Sequence, residues 1–287
     1  MKVRIEDELK GATFHVDLTT GNSILPVDST VVENVIDHLL PTFQELTSGG
    51  ESSATNPRFP VEGSRTEPES YEPITHVLNK IIDTASGHIP QQSHLSGLRF
   101  HTSGYTMKES YESFKGLKPD IVGTIGEVPT RTKELAKVST NNPELSWEQV
   151  EVAVESKATV RDMVRQSGTY ARCCVLGNER RFFSLGIGFQ WKKLEAYVFA
   201  YHRAGLSSSH PLDLKTLEGF NGLVRHIVGI LSFKEEAAYG LDPTRFQNIF
   251  RINNRYYEIV HPLHVRGTLR GRSTIVHSLQ GMYTYGF

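Results

Sequence analysis

The sequence predicts an α/β fold in which a mixed central sheet is flanked by helices. Three observations carry that prediction. Residues 147–157, W-E-Q-V-E-V-A-V-E-S-K, alternate apolar and polar side chains with a period of two, as a strand does. The stretches 71–85, 159–176 and 213–231 repeat apolar residues at the three- and four-residue spacing of amphipathic helices. Further strand-like runs at 98–102, 119–123, 181–190 and 194–203 interleave with those helices, which gives the element order ααβββαββα.

Taken in order, residues 1–27 are mixed, with a short strand expected near 13–18. Asp28 or Ser29 caps a helix in which Val31, Val32, Val35, Ile36, Leu39 and Leu40 recur at helical spacing, and Pro41 is expected to end or kink it. Residues 47–70 shift to Ser, Gly, Pro, Glu and Thr and read as a mobile loop. The next helix turns Ile74, Val77, Leu78, Ile81, Ile82 and Ala85 to one side. Residues 127–146 form a long polar excursion between two strands, either a flap or an insertion. The strands 181–190 and 194–203 form a hairpin that completes the sheet. Three regions result: an N-terminal helical segment and loop over 1–70, the α/β domain over 71–239, and a tail over 240–287. The tail is expected to stay apart from the core and to attach loosely, because two isolated strands near 257–260 and 273–279 are marginal in water.

The polar residues on these elements suggest chemistry. Asp120 begins a short strand, and Glu155, Ser156 and Lys157 end the 147–157 strand. Side chains two apart on a strand share a face, so Glu155 and Lys157 point the same way, with Val150, Val152 and Val154 expected on the other face. Gln166 and Tyr170 lie on the apolar side of the following helix with Met163, Cys173 and Cys174, while Arg161, Arg165 and Arg172 form a stripe on its opposite side, read as a solvated face. Two carboxylates suffice to anchor Mg²⁺, which favours oxygen ligands and keeps several waters. Asp120 and Glu155 are the candidate anchors, with the Ser156 carbonyl as a third oxygen, and the Lys157 ammonium is placed to orient an attacking water.

Lys118-Pro119-Asp120, Glu155-Ser156-Lys157 and Gln166-x-x-x-Tyr170, in this order, resemble the signature of the PD-(D/E)XK nuclease superfamily, the last piece its RecB-like branch. The resemblance implies a restriction-endonuclease-like core, phosphodiester hydrolysis with Mg²⁺, and DNA or RNA as partner. It also implies a further glutamate from the helix before the sheet, for which Glu69 and Glu72 are the candidates and Glu72 is preferred. A second resemblance covers roughly 70–287. The 147–157 strand, Gln166 to Arg172, Arg180-Arg181-Phe182, His202-Arg203-Ala204-Gly205, 239–244 and the glycine-loop-like 271–276 are similar to the N-terminal region of the fungal-type protein kinase family, where a nuclease-like module precedes a kinase domain. The kinase machinery itself is missing: His202-Arg203-Ala204 lacks the aspartate of an H-R-D base, and no D-F-G occurs. The chain is therefore expected to be the N-terminal portion of such a protein, or the product of a gene that retains only that portion. Two readings stay open, a metal-dependent nuclease module and an inactive nuclease-fold module that binds a kinase domain or another protein.

Composition limits the alternatives. With 38% hydrophobic and 22% charged residues the chain is ordinary for a globular protein, and a formal net charge of −1 confines any nucleic-acid contact to a local patch. No apolar run approaches a membrane span, and the N-terminal residues lack a secretory core, so no membrane partner is expected. The two cysteines, Cys173 and Cys174, are adjacent on a helix and read as buried thiols, which fits an intracellular, cytoplasmic or nuclear, setting. His261-x-x-His264 has no partners at zinc spacing and reads as structural or solvated.

Overall fold

A computed structural model describes residues 5–16, 18–19, 25, 27–47, 66–89, 93–102, 107–108, 117–126, 145–246, 249–253, 255–265 and 275–281. The expected loop before residue 66 and the excursion between the two site strands fall largely outside these residues, as do the side chains of His261 and His264.

The chain runs α1 (Ile5–Leu9), β1 (Thr13–His15), α2 (Ser29–Thr47), a 3-10 helix (Glu67–Ser70), α3 (Tyr71–Ser86), β2 (Leu98–Thr102), β3 (Met107–Lys108), β4 (Ile121–Ile125), β5 (Leu145–Ser146), a second 3-10 helix (Trp147–Gln149) and β6 (Val150–Lys157). It continues through α4 (Val160–Gly177), β7 (Phe183–Gln190), β8 (Glu195–His202), β9 (Gly205–Ser208), β10 (Leu212–Asp213), α5 (Leu217–Leu231) and four tail strands, β11 (Arg245–Phe246), β12 (Ile249–Ile252), β13 (Arg255–Val265) and β14 (Ile275–Gly281). The main sheet has the order β1-β9-β8-β7-β6-β4-β2, with β10 pairing β8. It is mixed: β2, β4 and β6 form an antiparallel meander, and β7 returns parallel to β6 after the α4 crossover. β8 and β9 are antiparallel, and β1 joins β9 in parallel.

Helices cover both faces. Against one face α2, α3 and α5 bury Val35, Leu78 and Ile227 on Val152, Val154, Ile187 and Val198. Each such fully buried aliphatic side chain contributes roughly 1.5–3 kcal/mol. Against the other face α4 packs Tyr170, Cys173 and Cys174 on Val122, Val150 and Ala153, and α1 closes the edge with Ile5 and Leu9. β6 is consequently buried on both sides rather than carrying one apolar and one polar face, because a parallel crossover lays a helix over the second face. The valine parity also breaks. The β4–β6 ladder pairs Gly123 with Val152 but Thr124 with Val150, so Glu151 is the extra residue of a bulge and Val150 turns to the α4 side.

Local chemistry explains the element ends. Thr159 caps α4 by accepting the Asp162 amide (3.2 Å), and Thr216 caps α5 by accepting that of Gly219 (3.0 Å). Pro41 neither ends nor breaks α2, which continues to Thr47. The Asp37 carbonyl that loses its amide partner there belongs to an exposed residue, so water replaces the bond at little cost. Arg172 departs from the expected solvated stripe and is buried, at a level of α4 where Ala171 packs with Ile5 and Leu9 of α1. The two cysteines are free and buried, as expected.

Close approach of α4 to the sheet depends on Gly188, where a Cβ would lie 2.7 Å from Phe199 and closer still to Met163 Sδ. Gly188→Ala is expected to destabilise the protein by about 1–3 kcal/mol through overpacking, read as a lower midpoint in urea unfolding. An unchanged midpoint would mean that α4 is free to lift.

The N-terminal segment contributes to the main sheet and its core, since β1 pairs with β9 and Leu18, Leu25, Val32, Val35 and Leu39 are buried there. The tail differs from the two marginal strands expected: it forms its own four-stranded antiparallel sheet, β11-β12-β13-β14. Its root is fastened to the core. Tyr239 and Leu241 are buried there, Leu241 bridges Arg181, and Arg245 pairs with Glu179 at 2.5 Å.

Candidate functional site

β4 and β6 are neighbours, so the residue just before β4 and the last residues of β6 meet at one end of the sheet. Asp120 Oδ2 accepts the Ser156 backbone amide at 2.9 Å and thereby extends the ladder with a side chain. The Lys157 ammonium lies 3.2 Å from Asp120 Oδ2 and 2.6 Å from Glu155 Oε1. The two carboxylates and the lysine expected to converge do so. Ser156 directs its hydroxyl to the opposite face, where it meets Ser70 Oγ at 2.8 Å.

Gln166 and Tyr170 support this arrangement from α4. Gln166 Nε2 donates to the Tyr170 hydroxyl (2.6 Å), and that hydroxyl donates to the Lys118 carbonyl (2.7 Å). The pair therefore fixes the Lys118-Pro119-Asp120 approach to β4. Tyr170 also stacks on Trp147, with ring centroids 5.5 Å apart. Burial raises the Tyr170 pKa, so the phenol remains a donor.

Glu72 lies elsewhere: its Oε1 accepts from Thr102 Oγ1 at 3.0 Å. The glutamate that reaches the cluster is Glu67, whose Oε1 is 2.6 Å from Lys157 Nζ and accepts from Tyr71 OH at 3.1 Å. The sequence carried a signal for it. Thr66-Glu67-Pro68-Glu69 has the S/T-x-x-E spacing and early proline of a helix start, and Glu69 Oε2 accepts the Thr66 amide at 3.2 Å. The low-complexity composition upstream masked that start. Tyr71 is the second residue missed; burial, then Asp120 and Glu67, raise its pKa.

Glu155 is the electrostatic anomaly of the site. It is fully buried, and burial first, then the Asp120 charge, push its carboxyl up to about 9. Its Oε1 lies 2.6 Å from Lys157 Nζ, and Asp120 lies beside it. Burial works against the Lys157 ammonium, yet Glu155, Glu67 and Asp120 more than offset it and hold the lysine charged. One ammonium thus serves three carboxylates. Among the described residues no three His, Cys, Asp or Glu side chains converge as a metal cage. A dedicated cage does not fit here. Asp120 and Glu155 are the two carboxylates that a Mg²⁺ site completed by water would use.

Fold and site define an α/β module with a buried carboxylate–lysine cluster at one end of a mixed sheet. The sequence profile described as fungal protein kinase matches residues 130–281, more than half of the chain. The chain belongs to the fungal protein kinase family. Glu155, Lys157, Gln166 and Tyr170 lie inside the matched region, and Glu67 and Asp120 lie outside it. No curated protein and no solved structure matches. Among the described residues no helix is long and apolar enough to cross a membrane.

Proposed function

We propose that this family member carries a PD-(D/E)XK-like, Mg²⁺-dependent phosphodiester-hydrolysing site, formed by Asp120, Glu155 and Lys157, on a restriction-endonuclease-like core. The observation that carries the reading is the convergence of Asp120, Glu155 and Lys157 at one end of the sheet, with Glu155 fully buried and its carboxyl pushed up by burial and then by the Asp120 charge. Burying two acids side by side with one ammonium to share costs on the order of several kcal/mol. Such an arrangement suits a group reserved for a cation. The strand order supports the reading too, because it sets the Asp120 and Glu155 strands side by side with the α4 crossover behind them.

Asp120 and Glu155 would hold the ion, with the Ser156 carbonyl as a third oxygen. Bound Mg²⁺ supplies polarisation of the phosphoryl oxygen and a water acidified to hydroxide. Lys157 would orient the attacking water and offset charge developing on the phosphorus centre. Gln166 and Tyr170 keep Asp120 in register by holding the Lys118 carbonyl. DNA or RNA is the substrate class.

The test is cleavage of labelled single- and double-stranded DNA and RNA by the purified chain, with Mg²⁺ and with EDTA. Cleavage that needs Mg²⁺ and vanishes in Glu155→Gln is the expected result. Equal cleavage by wild type and Glu155→Gln would place the activity in another site or a contaminant. A second reading, an inactive module that binds a kinase domain or another protein, is favoured by one observation, the full engagement of Lys157 by three carboxylates. Failure of every polynucleotide to be cleaved, with no Mg²⁺ bound, would select it.

A further inference from the structure

We propose that the cavity between the start of α5 and the β9–β10 connection binds a small organic anion with a flat body and hydrogen-bond donors, the chemistry of a nucleoside monophosphate. This site shares no lining residue with Asp120, Glu155 or Lys157 and does not depend on a metal there.

The sequence of α5 builds one wall. Phe220, Leu223, Val224 and Ile227 are spent on the core. Leu217, Asn221 and Arg225, spaced four apart, share a different stripe of the helix. That stripe lines a cavity of about 870 Å³ together with Val16 and Leu212, a volume ordinary for a small-molecule site. Gly222 lets β10 close on the helix: a Cβ there would lie 2.8 Å from Leu212 Cδ2.

Two polar groups of the lining await partners. Arg225 is half-buried and makes no ion pair or hydrogen bond among the described residues. Asn221 Oδ1 is buried and accepts no hydrogen bond among them. A guanidinium fits a phosphate or carboxylate, and an amide oxygen fits an N–H or O–H donor. Glu218 adds a second acceptor, whereas Asp213 Oδ1 already takes the Lys215 amide at 3.1 Å. Along the helix axis Asn221 lies about 6 Å and Glu218 about 10 Å from the level of Arg225. That span exceeds the separation of the two charges in a free amino acid and suits a phosphate joined through a sugar to a base. Sugar hydroxyls and an exocyclic amine would supply the donors, and the ring would rest against Leu217, Val16 and Leu212. His210, stacked on His15 with centroids 6.1 Å apart, offers the ring a flat partner at the same cavity. Arg225 is the single Lys or Arg of the lining, which suits one phosphate rather than a chain of them.

Titration calorimetry on the full chain with AMP, adenosine and inorganic phosphate tests the proposal. Wild type is expected to bind AMP more tightly than either of the other two. Arg225→Met is expected to weaken AMP about tenfold and to leave adenosine unchanged, because only the phosphate meets the guanidinium. Asn221→Leu is expected to weaken AMP and adenosine alike. Leu217→Trp adds bulk at a position 42% exposed and is expected to close the cavity to both, which keeps the test decisive should Asn221→Leu not fold. Glu155→Gln is expected to leave AMP affinity as it is. Failure of wild type to bind AMP overturns the proposal, as does AMP affinity that survives Arg225→Met or Leu217→Trp. A loss of AMP binding in Glu155→Gln also overturns it, by placing the nucleotide at the carboxylate–lysine cluster. Phosphate bound as tightly as AMP would leave only an anion site and overturns it too.

Discussion

Lys157→Ala is expected to destabilise the fold by about 3–5 kcal/mol, while Glu155→Gln, in direct contact with it and buried more deeply, is expected to cost nothing or to stabilise. The reason lies in the charge count. Among the described residues Lys157 is the single cation paired with Glu67, Asp120 and Glu155, at 2.6, 3.2 and 2.6 Å. Removing it leaves the Glu67 and Asp120 carboxylates beside the buried Glu155 carboxyl without a compensating charge. Removing the Glu155 charge instead eliminates a group that burial and Asp120 already disfavour in its ionised form. Urea unfolding of the two variants beside wild type measures both. Similar losses in both would show that Glu155 and Lys157 form an ordinary structural ion pair, which would remove the main support for a functional site.

A pH dependence of matching origin is the second large effect. The Glu155 pKa rises from an ordinary 4.5 to about 9 in the folded chain. Between those values the folded protein keeps a proton that the unfolded chain has released, so the stability contributed by neutral Glu155 is complete below about pH 4.5 and is lost as pH rises through about 9. Wild type should therefore lose stability relative to Glu155→Gln between pH 5.5 and 8.5, and the gap should widen with pH. Metal affinity should move the other way. A ligand must shed its proton to coordinate, so Mg²⁺ binding should tighten by up to about tenfold per pH unit across the same range. Parallel stability curves for the two proteins would contradict the assignment of the proton to Glu155.

Much of this was legible in the sequence because short-range periodicity sets it. The alternation ending at Glu155 and Lys157 placed both on one face, and the helical spacing of Gln166, Tyr170 and Cys173 turned them to the sheet. What escaped depended on long-range pairing. Nothing local announces that Glu151 is a bulge residue, since the bulge exists only relative to β4. Nothing near Arg172 shows that α1, more than 150 residues earlier, packs beside Ala171. The tail misled for the same reason: β13 is stabilised by partners on both sides, β12 and β14, which isolated strand propensities do not reveal. Glu67 is the instructive omission. Its helix start was written in Thr66-Glu67-Pro68-Glu69, but the role of its carboxylate emerges only when β6 brings Lys157 to it across 90 residues.

The central claim is that Asp120 and Glu155 are metal anchors with Lys157 as their resident counter-charge. Crystals of the chain soaked in Mn²⁺, a Mg²⁺ substitute visible by anomalous scattering, test it most directly. The account predicts one anomalous peak within about 2–2.5 Å of both the Asp120 and the Glu155 carboxylates, with Lys157 Nζ withdrawn toward Glu67. A site without a peak at millimolar Mn²⁺, with Lys157 still bound to Asp120 and Glu155, would contradict it.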